Sequence, residues 1–283
     1  MLSSRAGRGS IIEQAEVDRQ NTAFWSELCG SGAARALGIS GDEPDALRRF
    51  DDWYFDYYPY LQKHVDPYDL HGRNVLEIGL GYGTLGQYIA ERGAVYHGLD
   101  IAPTPVEMMR HRLRMLGDAA DDRVVQGSAR DIQFAAETFD YVYSIGCLHH
   151  TGDLEGSVAE VHRVLRPGGT AVLMIYNRFS LRQLWRVDRR RLEAAFRTGR
   201  VPSAKKVRAY YDTNAAGDSA PHTDFTSRRG ARRLLRRFSR AEIKADNFDT
   251  LRLTRGLAIG RDRLIEGPVA RLLGLDLYIT ATK

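Results

Sequence analysis

The sequence predicts an α/β fold in which helices cover both faces of a mainly parallel sheet. Two observations support this: short apolar runs typical of buried strands alternate with helical apolar periodicity, and the first run enters a glycine-rich turn. Such alternation is typical of parallel sheets. The predicted strands lie near residues 74–78, 95–99, 123–126, 139–144 and 170–176. The predicted helices between them lie near residues 84–92, 105–116 and 154–165.

The glycine-rich turn follows the first predicted strand. Gly81, Gly83 and Gly86 fit the GxGxxG spacing of dinucleotide-binding turns, and Asp100 ends the next strand near the expected distance of about 20 residues. A carboxylate at that point can accept hydrogen bonds from two ribose hydroxyls. The turn therefore predicts a ligand that carries a ribose, and a nicotinamide-dependent oxidoreductase is one class that satisfies it.

Glu77 helps to separate the classes of ligand. Its carboxylate lies inside the first strand, close to where a pyrophosphate would bind at the helix N-terminus. There it would repel a diphosphate and attract an ammonium group. S-adenosylmethionine has an α-amino group and a sulfonium and no phosphate, so Glu77 favours it over a nicotinamide dinucleotide.

Four segments resemble, in order, the signatures of class I S-adenosylmethionine-dependent methyltransferases: Val75–Gly83, Gly98–Asp100, Phe139–Ser144 and Val164–Gly169. The resemblance covers roughly residues 72–177 and, less distinctly, the C-terminal strands. It implies a Rossmann-like, seven-stranded sheet, mostly parallel, with an antiparallel hairpin near residues 240–249 and 275–282. It also implies methyl transfer to the O, C or N atom of a small organic metabolite. An S-adenosylmethionine-binding cyclase or another non-methylating relative stays an alternative.

Further segments are predicted around this core. We expect a disordered tail at residues 1–10, a helical N-terminal lid at 11–71, and a core at 72–283 that carries a cap insert at about 178–225 and a smaller insertion at about 251–274. Aromatic residues at helical spacing in the lid are predicted to pack on the core. Because related methyltransferases use such helices as lids, Tyr54, Tyr57 and Tyr58 are candidate ligand contacts.

The resemblance also implies a set of cofactor contacts at the strand ends. Glu77 would neutralise the methionine ammonium, Asp100 would bind the ribose, and Ile101 would pack on the adenine. The loop after the third strand would reach the adenine edge, and the end of the fourth strand would line the methionine arm. The predicted cofactor-binding residues are Glu77, Gly79, Leu80, Gly81, Gly83, Asp100, Ile101, Ser128, Ala129, Ser144, Ile145 and Gly146.

The methyl acceptor is expected beside the end of the fourth strand. Methyl transfer from a sulfonium is a displacement that depends mainly on alignment. An acceptor hydroxyl or carbon acid must still lose a proton, and His149 and His150 are candidate general bases at this place. A structural role for this loop is the alternative. Arg186 is a candidate substrate contact if the acceptor is anionic, and no metal site is predicted from the two histidines and one nearby acid.

Composition and charge narrow the class of protein. Two cysteines do not suggest a disulfide framework, and the sequence offers neither an apolar signal core nor a run that spans a membrane, so we expect a cytoplasmic protein.

Residues 178–240 hold 18 Lys and Arg against five Asp and Glu, which can mark a surface for an anionic partner. A nucleic-acid-binding methyltransferase is a further alternative. Ser144–Cys147 argues against it, since amino-methylating enzymes of nucleic acids commonly carry an Asn/Asp-Pro-Pro-Tyr/Phe motif there. The oligomeric state is left open, with a homodimer as one option.

Overall fold

A seven-stranded sheet forms the centre of the molecule. The computed structural model describes residues 3–27, 34, 37–39, 41–119, 122–187, 208, 211–252, 258–265 and 267–283. The strands of the main sheet are β1 (Asn74–Ile78), β2 (Val95–Asp100), β3 (Val124–Gln126), β4 (Phe139–Ile145), β5 (Leu165–Tyr176), β6 (Arg240–Asp246) and β9 (Asp276–Thr282). A separate two-stranded ribbon is formed by β7 (Leu251–Arg252) and β8 (Ala258–Ile259).

The strand order of the main sheet is β3-β2-β1-β4-β5-β9-β6. The pairings among β1 to β5 are parallel, whereas β9 pairs antiparallel with both β5 and β6. The strand order changes direction between β1 and β4, and a crevice for ligands is expected at such a switch point. The predicted Rossmann-like sheet, mostly parallel with an antiparallel C-terminal pair, is confirmed.

Helices flank this sheet. They are α1 (Ser3–Trp25), α2 (Pro44–Tyr57), α3 (Thr84–Ala90), α4 (Pro103–Met115), α5 (Leu154–Val164), α6 (Arg228–Leu234), α7 (Arg261–Leu264) and α8 (Pro268–Leu273). Short 3-10 turns occur at Gln62–His64 and Leu148–His150, and Arg182–Val187 is π-helical. In the part of the chain that the structure describes, no helix combines the length and apolar character needed to cross a bilayer.

Two of the added segments predicted from the sequence, the tail and the cap insert, are partly described by the structure. The helix α1 begins at Ser3 and so includes residues 3–10, which the sequence predicts as disordered. These residues continue a helix whose later turns contact the core, and adding residues to an existing helix costs far less than starting one. The predicted cap insert at about 178–225 is described at residues 178–187, 208 and 211–225, and its remaining residues lie outside the described ranges.

The central strand β1 is buried on both faces. Leu76 and Ile78 belong to one hydrophobic cluster and Val75 to another. Successive side chains of a strand point to opposite faces, so a strand covered on both sides needs apolar residues at every position. Glu77 interrupts this run and is only 3% exposed. An acid in such a place is costly without a partner, which makes Glu77 a functional candidate.

The N-terminal helices are tied to the core by buried polar contacts. In α1, Asn21 Nδ2 donates a hydrogen bond of 2.8 Å to the His150 carbonyl. In α2, the Asp51 carboxylate accepts hydrogen bonds of 2.7 and 2.9 Å from Arg112 of α4, whose side chain is fully buried. The Thr84 hydroxyl donates to the same carboxylate at 2.6 Å. Both helices are therefore fixed over the carboxyl ends of the strands.

Candidate active site

A cavity of about 410 Å³ lies at the carboxyl ends of β1, β2 and β4. The sequence predicts that the loops after residues 78, 99, 126 and 144 meet in one crevice, and Gly79, Ile101, Ser128 and Gly146 all line this cavity. Residues of α1 and α2 cover it, and Asp212 of the cap segment lines it as well. The volume lies within the range of small-molecule sites.

The glycine turn at one end of the cavity is shaped by close packing between protein groups. Gly79 has a φ of 84°, and a side chain at this position would overlap Cys147. A Cβ atom at Gly86 would lie 2.6 Å from both Glu77 Oε2 and Tyr96 Oη. Gly79, which precedes the GxGxxG pattern, and Gly86, its last glycine, therefore make room for protein side chains, one of which is the carboxylate of Glu77.

Asp100 joins the end of β2 to the glycine turn. Its Oδ2 accepts a hydrogen bond of 2.8 Å from the Leu80 N–H, and its Oδ1 accepts one of 2.9 Å from the Ala102 N–H. Burial raises the pKa of the Asp100 carboxyl to about 6, although these backbone donors lower it in part. Each carboxylate oxygen has a further acceptor site, so Asp100 can also receive hydrogen bonds from ligand hydroxyls.

Glu77 faces the cavity from β1. Its hydrogen bond within the described residues comes from the Tyr96 hydroxyl, which donates to Oε2 at 2.5 Å. Burial raises the pKa of Glu77 to about 8, opposed in part by the Tyr96 hydrogen bond and the Arg112 guanidinium. A cationic group placed in the cavity would favour the ionised form of this acid. The site is therefore suited to a ligand with an ammonium group.

Most of the predicted cofactor-binding residues line the cavity: Glu77, Gly79, Leu80, Gly81, Asp100, Ile101, Ser128, Ala129, Ile145 and Gly146. Gly83 and Ser144 lie behind it. Gly83 precedes α3 with a φ of 77°, and a Cβ atom there would lie 2.7 Å from Arg112 Cδ. Ser144 Oγ donates a hydrogen bond of 3.0 Å to the Ile78 carbonyl and so joins the ends of β4 and β1. In this structure both residues support the site without lining it.

His150 lines the cavity on the side of β4 and β5, since it follows β4 and packs on Tyr176 at the end of β5. Its Nδ1 lies 2.7 Å from the His222 carbonyl, which only accepts hydrogen bonds, so we assign the proton of the neutral ring to Nδ1. Nε2 is buried and has no hydrogen-bond partner among the described residues. Asp212 Oδ2 lies 3.6 Å from it. Burial lowers the pKa of His150, and Asp212 opposes this shift. A neutral His150 thus keeps an unprotonated, buried nitrogen within a residue that lines the cavity.

His149 does not line the cavity, although it is the neighbouring residue. Its ring is fully buried and packs on Tyr176 with 4.1 Å between the ring centroids. Neither ring nitrogen makes a hydrogen bond of good geometry within the described residues, and burial lowers the pKa of His149 well below its usual value. The Met174 carbonyl opposes this shift only in part. The structure therefore separates the two candidate bases by position.

The predicted substrate contacts are also separated. Tyr54 and Tyr58 of the N-terminal segment line the cavity, whereas Tyr57 does not. Tyr57 is 39% exposed, and the Arg261 guanidinium lies 3.8 Å from its ring centroid. The side chain of Arg186 lies outside the described residues.

Three further residues of the cavity, Trp25, Tyr176 and Asp212, are not among the predicted site residues. The Trp25 ring packs on the His150 ring with centroids 4.9 Å apart. The Tyr176 hydroxyl donates to the Asp212 carboxylate at 3.0 and 3.1 Å. The position of Tyr176 at the end of β5 was an available signal, because side chains there reach the ligand edge of the sheet. Asp212 has no such signal, since it lies in a polar segment without periodicity or motif.

Comparison with known proteins assigns the class of this domain. Residues 76–173 match the family model of a methyltransferase domain. A fatty-acid O-methyltransferase of Mycolicibacterium smegmatis is 33% identical over 135 residues, which are 47% of this chain and 46% of that protein. A ubiquinone biosynthesis O-methyltransferase of Rhizobium leguminosarum is 30% identical over 172 residues, 61% of this chain and 66% of that protein. The chain spans about half the length of the first curated relatives that it matches.

A solved structure supports the same fold. The S-adenosylmethionine-dependent methyltransferase of Archaeoglobus fulgidus superposes with a TM-score of 0.50 at 16% identity, covering 83% of this chain and 99% of that one. The core of the chain is therefore a class I S-adenosylmethionine-dependent methyltransferase domain, and S-adenosylmethionine is the cofactor of that class. The nicotinamide alternative is wrong, in agreement with the position of Glu77 in front of the glycine turn.

Proposed function

We propose that this protein transfers a methyl group from S-adenosylmethionine to a small organic metabolite. The observation that supports this best is one cavity with two chemically different ends. One end holds Glu77, Asp100 and the glycine turn, and the other holds His150 among aromatic side chains. When bound, S-adenosylmethionine supplies a methyl group on a positively charged sulfur. The lone pair of an acceptor attacks the methyl carbon, and the sulfur leaves.

The residues at the donor end fit this cofactor. Glu77 Oε2 is held by Tyr96, which leaves Oε1 to receive the ammonium of the methionine arm. Asp100 is fixed by two backbone N–H groups and keeps acceptor sites for the ribose hydroxyls. In our proposal Ile101, Ser128 and Ala129 surround the adenine, and the backbone after β4 follows the methionine arm.

His150 is the proposed general base. The His222 carbonyl fixes Nδ1 as a donor, so Nε2 is the nitrogen that can take a proton from the acceptor. Burial keeps the ring neutral and therefore able to accept that proton. Asp212, at 3.6 Å, would stabilise the imidazolium once it forms. His149 has a structural role in this proposal, because its ring does not line the cavity.

Turnover and cofactor binding of two matched variants test this function. Wild-type protein is incubated with S-adenosylmethionine and a metabolite library, and release of S-adenosylhomocysteine is followed.

His150→Ala is expected to lower kcat by about 100-fold or more, the usual contribution of a general base, while calorimetry gives an unchanged affinity for S-adenosylhomocysteine. His222→Ala is the control, since it keeps the backbone carbonyl that holds Nδ1. Full turnover of His150→Ala would show that alignment alone suffices. Absence of S-adenosylhomocysteine binding by the wild type would contradict the donor site.

Three further predictions concern the charge of the acceptor, the oligomeric state and the location of the protein. An anionic acceptor was predicted from Arg186, whose side chain lies outside the described residues. Homodimer formation stays a prediction that light scattering would test. The cytoplasmic location stays one that fractionation of the producing cells would test.

A further inference from the structure

The described residues that line the cavity include acidic side chains but no Lys or Arg. Within the described part of the chain, its charged lining residues are Asp18, Glu77, Asp100 and Asp212, and no Lys or Arg lines it. Glu77 and Asp100 belong to the donor end, and Asp18 forms an ion pair with Arg130. Asp212 is therefore the carboxylate of the acceptor end, and its charge has to be explained there.

Asp212 faces the free nitrogen of His150. Its described side-chain partners are the Tyr176 hydroxyl, at 3.0 and 3.1 Å, and His150 Nε2, at 3.6 Å. The Tyr176 hydroxyl keeps its proton and donates it to Asp212, because burial and Asp212 raise the pKa of Tyr176 well above its usual value. A single nitrogen atom with two N–H groups can donate to Asp212 and to His150 Nε2 together. This pair is a carboxylate beside a buried, unpartnered acceptor, and both residues line the same cavity.

Aromatic faces enclose the same end of the cavity. Trp25 and Tyr176 both pack on the His150 ring, with centroid separations of 4.9 and 5.9 Å. Tyr58, which helps to raise the pKa of Tyr176, lines the cavity from the N-terminal segment, and Tyr54 packs on Tyr58 with 5.2 Å between the ring centroids. Aromatic faces attract cations through their quadrupole, and more strongly where water is excluded. They offer no comparable stabilisation to a carboxylate.

Two basic residues near this end, among those that the structure describes, have other partners. Arg182 pairs with Asp249 at 2.6 and 2.9 Å. Arg261 lies over the Tyr57 ring and donates to Asn247 at 2.8 Å. Neither side chain lines the cavity, and the buried Asp276 adds a further acid close to Asp212.

Building on the proposed function, we infer that the methyl acceptor is an amine, bound as its ammonium between Asp212 and the aromatic faces, and not a carboxylic acid or a phenol. The acceptor nitrogen first loses one proton to His150 Nε2. Its lone pair then forms the N–CH₃ bond as the S–CH₃ bond breaks, which leaves neutral S-adenosylhomocysteine and a methylammonium beside Asp212.

The movement of charge favours this acceptor over an oxygen acid. During amine methylation, positive charge moves from sulfur to nitrogen and so towards the Asp212 carboxylate, which stabilises the transition state. A phenolate or carboxylate acceptor would carry its negative charge next to Asp212 before transfer and lose it during transfer. The same carboxylate would then raise the pKa of a phenol or acid and oppose its ionisation. Asp212 thus sets the acceptor specificity, because its carboxylate attracts an ammonium group and repels a phenolate or a carboxylate.

Binding of three probes that share a phenyl group tests this inference. The full-length protein, saturated with S-adenosylhomocysteine, is titrated with 2-phenylethylamine, phenylacetate and 2-phenylethanol near pH 7.5. Quenching of tryptophan fluorescence reports binding, because Trp25 and Trp53 line the cavity. The amine is expected to bind at least about tenfold tighter than either other probe. Asp212→Asn is expected to abolish that preference, whereas Asp218→Asn, which alters an exposed acid of the same segment, is expected to retain it.

Each other outcome contradicts the inference. Phenylacetate or 2-phenylethanol binding as tightly as the amine, an amine preference that survives Asp212→Asn, or no amine binding at millimolar concentration would overturn it. The comparison of probes in unmodified protein decides the question even if Asp212→Asn does not fold. Calorimetry with S-adenosylhomocysteine alone separates this test from that of the proposed function: normal binding there with no amine preference rejects only the acceptor class.

Discussion

At the scale of single residues, Glu77 shows how burial prepares a side chain for its ligand. Only 3% of this residue is exposed, and burial raises its pKa to about 8, so the empty site holds mostly the neutral acid at pH 7. The ammonium of the proposed ligand would stabilise the carboxylate and release the proton. Ligand binding and proton release are therefore linked at this residue.

This linkage predicts a pH dependence of cofactor affinity. The affinity for S-adenosylhomocysteine, which keeps the ammonium group, is expected to increase from about pH 6 to about pH 8, by up to about tenfold per pH unit. The affinity increases with pH because the ligand binds the ionised form of Glu77 and lowers its pKa. At higher pH more of the free protein already has this acid ionised, so binding no longer has to remove the proton. Calorimetry at pH 7 in two buffers of different ionisation enthalpy would detect the proton released. Glu77→Gln is the matched variant, and equal pH dependence in both proteins would refute the role of Glu77.

The positions of Glu77 and Asp100 at the cavity could be predicted from local sequence, whereas which of the two histidines lines the cavity could not. Glu77 and Asp100 follow from strands that end at known positions of the sheet, so their side chains reach one edge whatever the rest of the chain does. His149 and His150 share a single 3-10 turn, and the orientation of that turn is set from outside it. Asn21 and the His222 carbonyl fix His150 from 129 and 72 residues away.

At the scale of elements, a buried ion pair joins α2 to the core in addition to the apolar packing of its Leu47 and Phe50. Arg112 of α4 is fully buried, and Asp51 of α2 supplies its charged partner at 2.7 and 2.9 Å. Arg112 also lies beside Gly83, where a Cβ atom would come within 2.7 Å of it. The second glycine of the GxGxxG pattern thus makes room for the side chain that holds the helix. The motif alone did not reveal this, because its partner lies on another helix.

Removing the charge of Asp51 is expected to destabilise the fold. Asp51→Asn would leave the Arg112 guanidinium buried without its carboxylate, which costs about 3–5 kcal/mol for a buried pair and less where one partner is partly exposed, as Asp51 is. Urea unfolding followed by circular dichroism would measure the loss. Asp52→Asn changes the adjacent, exposed acid and is expected to shift the free energy of unfolding by less than about 0.5 kcal/mol. Equal stability of the two variants would show that the ion pair does not hold α2.

At the scale of the whole molecule, the cavity is assembled from parts that are distant in the chain. The sheet supplies Glu77 and Asp100, α1 supplies Trp25, and the segment after the π-helix supplies Asp212. Only the sheet residues, Glu77 and Asp100, belong to a sequence pattern that has a fixed place in the fold. The other two reach the site through tertiary contacts, which explains why the donor was predictable and the acceptor site was not.

If these parts form one cooperative unit, they are expected to unfold together and to be stabilised together. In a Trp185→Phe variant the remaining tryptophans, Trp25 and Trp53, report on the N-terminal helices, while far-ultraviolet circular dichroism reports mainly on the rest of the fold. The two signals are expected to give the same Tm, because both helices are tied to the core through buried hydrogen bonds. S-adenosylhomocysteine at about 100 times its Kd should stabilise the folded state by about 2.7 kcal/mol and raise both Tm values by roughly 5–10 °C. A fluorescence transition that precedes the other, or that does not move with the ligand, would mean that the N-terminal helices form a separate lid instead of a wall of the cavity.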